Sequence, residues 1–252
     1  MMTSTILNKI LKTTLIIIFW LLVWQVVYLI VGQEIIIPSP LMVLKIIANL
    51  FKTTEFYLIV LMSVLRVLAG FVLGFIIGIL FSYLTFNYLL LKSALSPVIE
   101  TIKSTPVVSF ILIVMIFVKP NYVAVVLSAL IVFPLVYQNV LEGIKQTDND
   151  LLQMAEIFRF SKFKKVKLIY FESIKPYLTA AFISGIGFSF KAGISGEVLS
   201  IPKYSIGLQM YNSKIYLETD RLIAWSIIVI VLSFVITKLA KVVLKNSLSK
   251  DS

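Results

Sequence analysis

The sequence contains no cysteine and no histidine. Disulfides, thiolate and imidazole metal sites, cysteine nucleophiles and histidine acid–base chemistry are therefore excluded. Charge is scarce as well: 14% of residues are Asp, Glu, Lys or Arg, and acids are the rarer sign, 12 against 23 bases, for a formal charge of +11. No Gly-x-x-x-x-Gly-Lys-Ser/Thr run is present to cradle phosphates, so the chain has no means of hydrolysing ATP alone. Neither a paired-carboxylate nor a serine-nucleophile motif is visible, which argues against an intramembrane enzyme, and there is no convincing internal repeat. What fills the sequence is apolar: 60% of 252 residues are hydrophobic and the mean hydropathy is +1.02. Soluble domains are only about 45–50% apolar. The chain reads as an all-α integral membrane protein. Its basic excess does not point to nucleic acid, because Lys and Arg sit at the ends of apolar runs, where orientation in the membrane accounts for them.

Six apolar runs read as membrane spans, at about 14–31, 65–86, 107–118, 123–138, 177–199 and 222–243. The first is longer than the core of a signal peptide and has no small-x-small cleavage site after it, so it is expected to be retained. The second carries Gly70, Gly74 and Gly78 at spacing four, which allows a neighbouring backbone to approach closely. The third is short and follows Pro106, a helix-starting residue. Six spans put Lys9 and Lys12, Lys92 and Lys103, the basic cluster after span four, and Lys238, Lys241, Lys245 and Lys250 on one side. That side is expected to be cytoplasmic, with both termini inside. Residues 33–64 then lie outside, with a turn at Ile37-Pro38-Ser39-Pro40 and an interfacial amphipathic helix over 41–51; residues 88–103 read as interfacial too. The expected organisation is one multi-pass transmembrane domain over 1–252, its core at about 58–244.

One charged interruption stands out, at about 141–176. Arg159, Lys162, Lys164, Lys165 and Lys167 occur there without an intervening acid. Thr147 and Asp150 have capping-box spacing, and Leu151, Met154, Ala155 and Phe158 follow at i, i+3, i+4 and i+7. Ser161 can cap a second helix with Val166, Ile169 and Tyr170 along one side. Two readings compete: a solvated loop whose lysines neighbour anionic membrane lipid, and a helix–turn–helix whose apolar face docks on a soluble partner. The apolar patterning favours docking, since a merely solvated loop has no use for it.

Lys191 and Glu197 fall in span five, where charges are costly and face a bundle interior or a cavity. Lys191 can line a solute path and attract an anion, or it can form an internal ion pair with Glu197 or Glu100 that fixes packing. Gly185, Gly187, Gly193 and Gly196 in the same span suggest close packing or local flexibility.

Gln153-Met154-Ala155, Ser161 and Pro176 resemble the EAA loop of ABC importer permeases, roughly Glu-Ala-Ala-x-x-x-Gly-x-Ser followed by an Ile-x-Leu-Pro-like segment. Ala155, Ser161 and Pro176 match; Gln153 stands for the Glu, Met154 for the first Ala, Glu172 for a first Pro, and Arg159 for the Gly. Ile37-Pro38-Ser39-Pro40, then Ser63, Arg66, Gly70, Phe71, Gly74 and Gly78, then Pro97, Pro106, residues 185–197 and Ile206-Gly207-Leu208 are similar to the nitrate/sulfonate/taurine-type subfamily. The resemblance implies a type I ABC importer permease of MetI-like fold. Its 141–176 loop would be a cytoplasmic coupling helix carried by Leu151, Gln153, Met154, Ala155, Phe158, Arg159 and Ser161. It implies two permeases, with two copies of this chain the simpler arrangement, a separate ATPase subunit that binds the ATP, and an extracytoplasmic solute-binding protein. The chain itself would be a transport subunit in the cell membrane, not an enzyme, with no cofactor of its own. The solute would be a small anion such as nitrate, a sulfonate or taurine, or a vitamin precursor. The translocation path would involve Lys191 and Glu197, and Glu197 can also help receive the binding protein. Arg159 implies either a less sharp turn or a divergent permease with a matching ATPase. The competing reading is an ion-coupled secondary transporter using Lys191, Glu197 and Glu100.

Overall fold

A computed structural model of the chain describes residues 2–248, with side chains over 11–243. Of the basic residues that set the expected orientation, Lys250 lies outside the described residues, as do the side chains of Lys9 and Lys245. Every regular element described is helical: α1 (Met2–Val31), α2 (Pro40–Leu50), α3 (Thr54–Asn87), α4 (Leu89–Ser104), α5 (Val107–Phe117), α6 (Pro120–Lys145), α7 (Asn149–Ile157), α8 (Lys162–Lys165), α9 (Phe171–Ser200), α10 (Ile206–Ile215) and α11 (Thr219–Leu248). A π-helical turn, Val166–Tyr170, joins α8 to α9.

Among the described residues, five helices are long and apolar enough to cross a membrane: Leu11–Val31, Thr54–Asn87, Pro120–Lys145, Lys162–Ser200 and Thr219–Val243. The third expected span, at about 107–118, is not a straight membrane-crossing helix by itself. It is α5, one half of a pair with α4 that is bent by 109°. Pro106 disfavours the helical region for the residue before it, and Thr105 accordingly sits extended at φ −81°, ψ 133°. The other helices run longer than the expected spans, α3 from Thr54 and α9 from Phe171. Pro176, expected near the loop's end, lies inside α9 instead.

The chain divides into two compact units. The first comprises Met1–Leu58 with Gln209–Ile228. There Ser39 caps α2 by accepting from the Met42 amide at 3.3 Å, with Pro40 at the first helical position and Val43 buried. The Trp24 indole donates to the Pro38 carbonyl at 3.1 Å, and the Thr219 hydroxyl to that of Ile35. Phe56 stacks on Trp225 with centroids 5.6 Å apart.

The second unit comprises Ile59–Leu208 with Val229–Ser252. Its centre is the antiparallel pair α6 and α9. Small residues bring them together: Gly193 lies against Ser128, Gly196 against Leu127, and Gly143 against Tyr177. The glycine stripe of α3 docks on α6, Gly70 on the Val125 carbonyl, Gly74 on Ala129 and Gly78 on Val136. A Cβ at Gly74 would sit 2.5 Å from the Ala129 carbonyl oxygen, so the two backbones are in contact. Hydroxyls bridge the helices: Ser82 donates to the Tyr137 carbonyl at 2.9 Å and Ser128 to that of Ser189 at 3.0 Å. Such bonds contribute about 0.6 kcal/mol each; most of the association comes from packing.

Candidate functional site

The loop after α6 builds one candidate site. The Asp148 carboxylate caps α7, accepting from the Asp150 amide at 2.8 Å. The Thr147–Asp150 capping box does not form, because the Thr147 hydroxyl turns back to the Gly143 carbonyl in the last turn of α6. At the other end Arg159 adopts φ +51°. Its amide donates to the Glu156 carbonyl at 2.9 Å, and the Phe160 amide to that of Ala155 at 2.8 Å. These are the two bonds of a Schellman cap, which usually has glycine at the left-handed position. Arg159 thus makes the same sharp turn, at a cost of about 1–2 kcal/mol for a residue with a Cβ. Arg159→Gly is expected to stabilise this cap by about 0.5–1 kcal/mol, after allowing for glycine's larger unfolded-state entropy. Slower hydrogen exchange at the residue 159 and Phe160 amides would register it; equal or faster exchange would mean that the arginine carries no backbone cost.

The apolar stripe of α7 divides. Ala155 is fully buried, whereas Leu151, Met154 and Phe158 are exposed, the last by 68%. Ile157, outside the expected stripe, is the most exposed of all at 79%. Gln153 is exposed beside them. The helix is not one of those long and apolar enough to cross a membrane. Ser161 accepts from the Lys164 amide at 3.3 Å and caps α8, as its position suggested. Lys165 pairs with Glu156 of α7 at 3.4 Å, and Lys164 lies over the Phe160 ring at 4.1 Å.

A second cluster is entirely buried. Glu197, fully inaccessible near the end of α9, accepts from the Ser63 hydroxyl at 2.7 Å, the Arg66 guanidinium at 3.1 Å and the Gly207 amide at 3.3 Å. The Ile206 amide donates to the Ser63 hydroxyl at 2.9 Å. The carboxylate therefore sits at the N-terminus of α10, where free amides and the helix dipole favour an anion. Arg66 also donates to the carbonyls of Lys203 at 2.9 Å and Tyr204 at 3.1 Å. Those carbonyls belong to a link with Ile201 and Tyr204 at positive φ, a strained path that Arg66 helps hold. Gly207 is required, since a Cβ there would overlap the backbone of Glu197.

Lys191 joins neither this cluster nor Glu100. Glu100 lies 3.8 Å from Lys103, and among the described residues no acid pairs with Lys191. Its side chain lines a cavity of about 410 Å³ between α4–α5, α6 and α9. Lys103, Thr105, Gln138 and Ser195 share the wall with apolar neighbours, and no carboxylate does. Lys191 also borders a cavity of about 700 Å³ with Lys238 and Lys241. The structure thus separates two residues that the sequence placed together. Arg66 was the partner missed, and the signal for it was the Ser63–Arg66 spacing, which puts a hydroxyl and a cation on one helix face.

A family model described as binding-protein-dependent transport system inner membrane component matches residues 70–246. The nitrate import permease protein NrtB of Synechococcus elongatus is 26% identical over 240 residues, covering 82% of this chain and 84% of that one. The bicarbonate transport system permease protein CmpB of Synechocystis sp. is 26% identical over 150 residues, 59% of this chain and 53% of that one. In fold, the chain is similar to an amino acid ABC transporter crystallised with histidines, with a TM-score of 0.56 at 19% identity, covering 73% of this chain and 88% of that one.

Proposed function

We propose, from the premise that this chain belongs to the family of binding-protein-dependent transport system inner membrane components, that it forms the translocation path of an ATP-driven importer for a small inorganic or organic anion. The observation that carries the solute class is the wall around Lys191: two lysines, an amide and two hydroxyls, with no carboxylate among them. A site of that composition favours an anion over a cation or a neutral solute. The nitrate and bicarbonate permeases among its relatives support the same class. The path runs beside Lys191. Glu197 acts on it indirectly, by fixing the α9–α10 link through Arg66 and Ser63.

Both termini and α7 face the cytoplasm in this reading, and α7 enters a groove on a separate ATPase subunit that binds ATP. The chain carries no cofactor itself. Two copies pair around the path, and an extracytoplasmic binding protein delivers the solute. Family membership displaces the ion-coupled secondary transporter as an alternative.

The test is uptake of labelled nitrate into vesicles holding the permease, its ATPase and its binding protein. Uptake is expected to require ATP; equal uptake without ATP or without the ATPase would remove the import reading. Lys191→Met is expected to lower uptake on the order of tenfold or more, the loss of one charged hydrogen bond, with assembly unchanged. Wild-type uptake in that variant would take Lys191 off the path.

A further inference from the structure

A third cavity, of about 500 Å³, lies apart from the wall around Lys191 and from the Glu197 cluster. Its walls are the C-terminal ends of α3 and α6 and the N-terminal end of the span that begins with α8. Ile79, Tyr83, Phe86 and Leu178 make it largely apolar, and Lys162 and Lys165 stand among the same lining residues, again without a carboxylate. Phe86 packs edge-on to Tyr170 of the π-helical turn, with centroids 5.6 Å apart. Such turns are frequent at functional sites. Three of the helices long and apolar enough to cross a membrane have an end here, and tyrosine, present as Tyr83 and Tyr170, is a residue type favoured where acyl chains give way to headgroups.

We infer that this cavity holds one phospholipid with an anionic headgroup, an acyl chain against Tyr83, Phe86 and Leu178 and the phosphate on Lys162 and Lys165. Charge complementarity selects that occupant. Basic pockets between the cytoplasmic ends of membrane helices take anionic headgroups, and a zwitterionic lipid would bring no net negative charge to Lys162. Among the described residues no acid pairs with Lys162, while Lys165 is held by Glu156. A bound phosphate therefore competes with Glu156 for Lys165, and Glu156 belongs to α7. Lipid occupancy is thereby linked to the helix assigned above to the ATPase; that consequence rests on the docking reading, whereas the lipid site does not.

The experiment is native mass spectrometry of the purified permease after exchange into micelles doped with phosphatidylglycerol or phosphatidylcholine. Retention of about one phosphatidylglycerol per chain and little phosphatidylcholine is expected. Lys162→Gln with Lys165→Gln is expected to weaken phosphatidylglycerol on the order of thirtyfold, from the attraction contributed by two basic residues. Leu178→Trp is expected to expel it with both lysines intact. Equal retention of the two lipids, or unchanged binding in the double variant, overturns the site. So does wild-type binding in Leu178→Trp, which would reduce the lysines to a charged surface over an unused groove. Because binding is read without ATPase or transport, its failure leaves the import assignment standing, and the reverse.

Discussion

Replacing Arg66 with alanine is expected to destabilise the second unit by about 3–5 kcal/mol. The size follows from what the substitution leaves behind. Glu197 is wholly inaccessible and would keep only the Ser63 hydroxyl and the Gly207 amide. A carboxylate in that position without its counter-charge is among the costliest defects a membrane core can carry. The Lys203 and Tyr204 carbonyls would lose their donor as well, releasing a link that already holds two residues at positive φ. Thermal unfolding in detergent measures the loss. The companion variant, Arg66→Leu with Glu197→Leu, separates the pair's net worth from the cost of orphaning one member. Removing both charges at once is expected to be milder than Arg66→Leu alone. If the single variants melted like wild type, or if the double were the sum of the two singles, the cluster would not be acting as a unit.

The second large effect concerns α7. Leu151→Asp with Phe158→Asp is expected to abolish recovery of the ATPase subunit with the permease and, with it, ATP-driven uptake. Burying two such side chains contributes about 1.5–3 kcal/mol each, so the substitutions cost on the order of a hundredfold or more in affinity before the expense of burying two carboxylates is added. Both side chains are exposed in the isolated chain, so its own fold is expected to survive, with an unchanged melting profile. The Ala155 position behaves oppositely. It is buried against the permease, and a larger residue there would act on folding, not on docking. Undiminished co-purification of the ATPase with the double aspartate variant would remove α7 as the docking element.

Much of this arrangement was legible in the residues. Hydropathy placed the spans, and the 3.6-residue apolar period placed α7, because both depend on local composition. The bend at Thr105–Pro106 was not drawn, although the proline that causes it was seen, since a short apolar run reads the same whether its helix is straight or turns by 109°. Likewise, periodicity grouped Ala155 with Leu151, Met154 and Phe158, while only contact with the rest of the chain decides that Ala155 faces inward and that Ile157 joins the exposed set. Arg159 shows the limit from the other direction. The family's glycine is absent, yet its left-handed turn is kept, because two backbone hydrogen bonds hold the arginine there. The Arg66–Glu197 pair is the clearest case of information that local reading does not carry. The partners lie 131 residues apart in sequence, and Lys191 was much nearer to the acid. That proximity misled because an α-helix sends residues six apart to different faces.

The glycine stripe of α3 bears on mechanics. Where Gly70, Gly74 and Gly78 meet α6, backbone touches backbone and no layer of pliable side chains lies between. Protein interiors compress little, and side-chain rearrangement is the main way a packed interface absorbs displacement. This joint has few side chains to rearrange. Within the second unit, α3 and α6 are therefore expected to shift together, since little at their contact can yield to let one slide on the other.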